Sequence, residues 1–261
     1  MQKIRVARVH ASAWAVLFSF LITAAVFYLA TVSVRDAKEK TPDEPTAVIE
    51  KITKDVTLKG GEYALLHFGA FDTASDARVA TARYGARGAA GAVLRLENRY
   101  YAVGNAYSDA EEARKAVESL ARQGIFCGLY TVSARDAVVR LTATEARADD
   151  FAAAYRALLN AESALESAAR HLDADGISPR QARTHLLTAA YDLQSARERF
   201  SPVAGGDAVC AALTSLLDGA IRRVLPLTTG NENARTLSAR AKFELIECAM
   251  ARMRFLRGES L

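Results

Sequence analysis

At 261 residues the chain is long enough for a membrane anchor and two small domains. Its formal net charge is +4, but Lys3, Arg5 and Arg8 all precede the first acidic residue, Asp36, which leaves about +1 for the large remainder. A near-neutral remainder excludes a general nucleic-acid surface, because neutralising phosphates requires clustered positive charge.

In chain order, a basic tail over 1–10 precedes a stretch without charge from Ala11 to Val34. Leu17, Phe18, Phe20, Leu21, Ile22, Val26, Phe27 and Leu29 dominate that stretch, which has the roughly 20 residues needed to cross a bilayer core. Trp14 and Tyr28 sit towards its ends, where amphipathic rings prefer the interface. A cleaved signal peptide is the weaker reading, because the apolar run is too long and no small-x-small site stands near Val32–Val34. The sequence therefore predicts a single-pass protein of the cytoplasmic membrane, its N-terminus inside and its bulk on the extracytoplasmic side. Residues 35–58, alternating in charge and holding Pro42 and Pro45, read as a linker, with a short helix over Thr46–Asp55 as an option.

A duplication follows. Phe71-Asp-Thr-Ala-Ser-Asp-Ala-Arg78 recurs as Tyr107-Ser-Asp-Ala-Glu-Glu-Ala-Arg114, and at the same offset Gly88 meets Gly124. A fixed-offset repeat of this kind marks a repeated structural unit. Strands are predicted at Tyr63–Gly69, Ala89–Leu96, Tyr100–Gly104 and Phe126–Val132. Helices are predicted from Thr73 to Gly85 and from a cap at Ser108 to a stop at Gly124. The order βαββαβ over 59–135 predicts an antiparallel sheet with helices on one face. Alternation along the strands places Leu66 and Phe68 in the core with Tyr101 and Val103. It leaves Leu65, His67, Tyr100, Ala102, Cys127 and Leu129 on an open, rather apolar face.

These residues resemble the SPOR domain, the sporulation-related repeat. The resemblance rests on Tyr63-x-x-x-His67-Phe-Gly69-Ala70-Phe71, the Ala-rich helix, Tyr101-x-Val103-Gly104 and Gly124, and covers Glu62 to Ser133. It implies binding of peptidoglycan glycan strands on the open sheet face, in cell division or sporulation, with no catalysis. Matched to the family's pattern, the glycan-binding candidates are His67, Ala70, Asn98, Tyr100 and Leu129, with Arg95 and Arg99 as sources of charge and Leu65 added from its place on the open face. The departures are Ala70, which lacks a hydroxyl, and Tyr100, which lacks a guanidinium. For His67 an uninvolved surface histidine, and for Tyr100 a plain cross-strand packing partner, are equal alternatives.

From Thr144 the period becomes helical. Phe151, Tyr155, Leu158, Glu162, Leu165, Ala169 and Leu172 form one seam; Leu186, Ala190, Leu193, Arg197 and Phe200 a second; Val209, Leu213, Leu216, Leu217, Ile221 and Leu225 a third. A fourth helix, capped by Asn231 or Asn233, carries Leu237, Leu245, Ile246, Met250 and Met253. These predict an all-α domain over 143–257, a bundle of about four helices that leans on the sheet or on a second chain. Arg240, Lys242, Arg252, Arg254 and Arg257 read as a solvated basic face, or as a contact with anionic lipid or wall polymer. The expected fold class is thus α+β: a transmembrane helix, a SPOR-like sheet domain, then the bundle.

An enzyme is not expected. His10, His67, His171 and His185 have no metal-pair spacing, and Asp149 and Asp150 would point apart on a helix. No nucleophile elbow or phosphate loop occurs, so no metal and no cofactor is assigned. Cys127, Cys210 and Cys248 match no zinc motif; a Cys210–Cys248 bridge is the alternative to three reduced thiols. The expected partners are glycan strands, the membrane, and an envelope protein or second copy at the bundle, with no nucleic acid. The runner-up reading is a protein–protein scaffold built on a degenerate repeat.

Overall fold

The computed structural model describes residues 51–200 and 208–259. The chain enters on strand β1 (Ile52–Leu58) and runs through β2 (Gly61–Phe71), α1 (Ala74–Gly85), β3 (Ala92–Leu96), β4 (Arg99–Tyr107), α2 (Ala110–Arg122), β5 (Gly128–Ala134) and β6 (Ala137–Ala143). Four long helices follow: α3 (Glu145–Asp173), α4 (Pro179–Phe200), α5 (Ala208–Val224) and α6 (Ala234–Leu256), with a 3-10 turn at Leu225–Leu227.

Local chemistry accounts for the helix ends. The Thr73 hydroxyl accepts from the Asp76 amide and starts α1, and Asn233 does the same for α6 through the Thr236 amide. Pro179 opens α4 behind Ser178, whose hydroxyl accepts from the Gln181 amide. The cap of α2 is Asp109, not Ser108. The Ser108 amide and hydroxyl instead both donate to Glu166 of α3, at 2.8 and 2.7 Å.

The repeat closes into one antiparallel sheet of order β3-β4-β2-β5. Outside it, β1 and β6 pair with each other, as continuations of β2 and β5 in the same register past two-residue breaks at Lys59–Gly60 and Arg135–Asp136. Residues Ile52–Asp55, read as linker or helix, are therefore strand. Their outer face carries the cross-strand pairs Thr53–Thr142 and Asp55–Arg140, and their inner face carries Val56, Leu58 and Leu141. The first break requires glycine: a Cβ on Gly60 would lie 2.2 Å from the Ala134 carbonyl oxygen of the facing strand.

The sheet carries helices on both faces. Leu66, Ala64 and Ala102 face α1 and α2 with Ala77 and Ala113, and Phe68 stacks on Tyr84 with ring centroids 3.9 Å apart. On the other face Tyr63, Leu65, Leu94, Val103, Ala106 and Val132 merge with Phe151, Leu158, Leu245 and Met250 into a single apolar cluster. Helices α3 and α6 supply that cover.

Two ionic clamps, the first of them fully buried, tie the helices to one another and to the repeat. Arg252 Nε donates to both carboxylate oxygens of Glu162, at 2.8 and 3.0 Å, and Tyr63 Oη donates to the same carboxylate at 2.9 Å. Burial, and next the Glu162 charge, push the Tyr63 phenol well above its ordinary range, so it remains a donor. In the second clamp Lys242 lies 2.6 Å from Asp173 and donates to the Gly88 carbonyl at 2.8 Å. Two of the basic residues read as a solvated face, Lys242 and Arg252, are thus buried, whereas Arg254 and Arg257 are exposed. Periodicity cannot reveal acidic partners such as Glu162 and Asp173 on a neighbouring helix.

The expected membrane-anchored architecture needs correction. Among the described residues six α-helices and six strands make an α+β fold, and no helix is long and apolar enough to cross a membrane. With no spanning helix there, the single-pass placement and its inside–outside orientation are withdrawn. The tail at 1–10, the span read at 11–34 and the first part of the linker lie outside the described residues.

Candidate functional site

Burial falls off along every strand towards the same end of the sheet. On the face under α3 and α6, Tyr63 and Leu65 of β2 are buried and His67 is half-buried. On β5 the sequence is Val132 buried, then Tyr130 and Gly128 half-buried. On β4 it is Val103 buried and Tyr101 half-buried, and on β3 it is Leu94 buried and Leu96 half-buried. Helix α6 stops at Leu256, where Arg257 donates to the Ser133 carbonyl at 2.6 Å. Arg254 and Arg257 lie beside Tyr130 and Glu97, so the cover given by α6 ends at the edge of Tyr130.

What remains there is aromatic. His67 meets Tyr101 edge-on, with ring centroids 5.1 Å apart and planes at 85°. Tyr101 meets Tyr130 at 5.1 Å, tilted by 55°. Phe126, just before β5, is 89% exposed and extends the apolar rim. Polar groups border it: Tyr130 Oη donates to Glu97 at 3.0 Å, and the exposed Arg99 donates to the Ala70 carbonyl at 2.7 Å. Gly128 makes room for the His67 ring, since a Cβ there would lie 2.9 Å from Nε2.

His67 Nδ1 is buried without a hydrogen-bond partner. Burial also holds the imidazole below its ordinary pKa. The folded state therefore favours the neutral ring, whereas the unfolded histidine takes up a proton near pH 6.5. The stability supported by the neutral ring is complete above that pH and falls as pH drops towards the folded value. Denaturation midpoints of the wild type and of His67→Gln, compared between pH 5 and 8, are expected to converge or cross on acidification. Parallel curves would refute this.

Register corrects the expected open face. Leu65 is 1% exposed and lies within the core beneath the bundle. Leu129 pairs with Leu66, and Tyr100 pairs with Arg95 and Phe71, which places Leu129 and Tyr100 on the face of α1 and α2. The Arg95 guanidinium lies 5.9 Å from the Tyr100 ring centroid. Asn98 is in the exposed β3–β4 turn. Of the eight candidates only His67, Ala70 and Arg99 adjoin the uncovered end. Tyr101 and Tyr130, which the sequence reading left in the core or unassigned, form its centre. Bulges between Leu66 and His67 and between His67 and Ala70 shift the pairing, so alternation counted strand by strand assigns the wrong neighbours.

Among the described residues no group of three or more His, Cys, Asp or Glu is placed to hold a metal ion. Cys127, Cys210 and Cys248 form no disulfide with one another. No protein-family model, no curated protein and no solved structure matches the chain. The molecule is therefore defined by its own architecture: a tandem-repeat sheet sandwiched between its repeat helices and a four-helix domain, with one aromatic end left open.

Proposed function

We propose that this is a binding protein without catalytic activity, and that its uncovered aromatic end holds a glycan strand of the peptidoglycan type. The observation that carries the reading is the run His67–Tyr101–Tyr130, left open where α6 ends. Sugar rings present apolar C–H faces and a girdle of hydroxyls. Aromatic rings take the former, while Glu97 and Arg99 take the latter. The resemblance of residues 62–133 to the SPOR pattern supports the same ligand class, and bare glycan strands are what such a chain would find during division or sporulation.

The test is co-sedimentation of the full chain with purified sacculi. The wild type is expected in the pellet. Tyr101→Ala combined with Tyr130→Ala should weaken retention at least tenfold, about 1.4 kcal/mol. Tyr100→Ala and Leu129→Ala, on the helix-covered face, should leave it unchanged. Absence of wild-type retention beside a retained control binder, or sensitivity to Tyr100 and not to Tyr101 and Tyr130, would refute the site. The occupied inner half of the face favours a second reading, a scaffold whose repeat has lost sugar recognition. Lack of retention together with a concentration-dependent oligomer would support that one.

A further inference from the structure

Away from the aromatic end, α3, α5 and α6 meet the edge strand β3 around a cleft of about 340 Å³. Ligand pockets start at about 300 Å³. Part of its wall is apolar: Leu94 from the sheet, Leu158 from α3, Leu216 from α5 and Met250 from α6. Small residues keep it open, Gly219 and Ala251 among them, and a Cβ added at Gly219 meets nothing within 4 Å. The Cys248 thiol lines it as well, and burial pushes that thiol up, so it presents a neutral, weakly polar wall.

Charge gathers around this apolar cleft with one sign in excess. Arg222, Arg223 and Arg254 line it, against a single available carboxylate, Glu247. Arg223 is 3.3 Å from Glu247. Arg252 and Glu162, also in the lining, neutralise each other at 2.8 Å. Among the described residues neither Arg222 nor Arg254 has a side-chain ion-pair partner. Both are exposed, so the fold places two solvated guanidiniums at the mouth of the cleft, free to take an anion.

We propose that this cleft binds a small amphiphilic carboxylate, its apolar chain against Leu94, Leu158, Leu216 and Met250 and its head group on Arg222 and Arg254. An apolar chain gains by leaving water for these walls, and a carboxylate matches the planar fork of a guanidinium. The assignment is independent of the glycan reading, because none of His67, Tyr101 and Tyr130 lines the cleft, although Met250 and Arg254 also border Tyr130.

Calorimetric titration of the full chain with decanoate tests it, with decanol as the neutral counterpart. Decanoate is expected to bind saturably at one site and decanol at least tenfold more weakly. Gly219→Leu should abolish binding by filling the cleft, while its melting temperature holds or rises, because leucine is the better helix former. Arg222→Ala with Arg254→Ala should weaken decanoate at least tenfold and leave decanol unchanged. Equal binding of the two ligands, decanoate binding that survives Gly219→Leu, or no decanoate binding by the wild type overturns the proposal.

Discussion

Arg252→Ala is expected to lower the unfolding free energy by about 3–5 kcal/mol, the cost of leaving one member of a buried ion pair alone. Arg252 is 3% exposed and Glu162 2%. With the guanidinium gone, the carboxylate keeps only the Tyr63 hydroxyl, at 2.9 Å, and Tyr155 loses its 3.3 Å contact with Arg252 Nη1. One hydroxyl cannot replace water around a carboxylate. Removing both charges, as in Arg252→Met with Glu162→Gln, should cost less than the single change, because no bare ion is then left inside. Denaturant midpoints at pH 7 measure both. A loss below about 1 kcal/mol in Arg252→Ala would mean that water reaches the pair, placing it in the range of surface bridges.

The second large effect concerns Leu65. Leu65→Ala is expected to cost about 2–5 kcal/mol, as for a fully buried leucine truncated in a packed core. A leucine on an open sheet face would change stability by no more than about 0.5 kcal/mol. The two outcomes separate a sheet whose inner half is covered by α3 and α6 from one that is bare. Because Leu65 touches the cluster shared by sheet and bundle, the loss should appear in one cooperative transition. A surface-sized effect would place the bundle elsewhere.

Much of this architecture could be read from residue pattern alone. The seam Phe151, Tyr155, Leu158, Glu162, Leu165, Ala169 and Leu172 is buried throughout α3, as its heptad-like spacing implies. The repeat gave the strand and helix order, and Thr73 and Asn233 stand where helix-entry chemistry requires them. These features are local: they follow from the 3.6- and 2-residue periods and from caps within four residues of a helix end. Strand β1 was missed because its alternation is short and sits beside Pro42 and Pro45; it becomes a strand by pairing with Ala137–Ala143, some eighty residues later.

The site was less legible. His67, Ala70 and Arg99 could be picked out by pattern, but Tyr101 and Tyr130 could not, since their neighbourhood depends on pairing across two bulges. The same holds for Lys242 and Arg252 of α6, which look solvated along the helix and prove to be clamped by α3.

By itself, then, the amino-acid order determined the tandem repeat, the helical seams and the near-neutral charge, all properties of neighbours along the chain. Only the tertiary structure decided which sheet face is covered, where the covering stops, and which arginines are spent on internal carboxylates. Those are settled by contacts between segments fifty to two hundred residues apart, where burying apolar area and pairing buried charge outweigh any preference written into a single strand or helix.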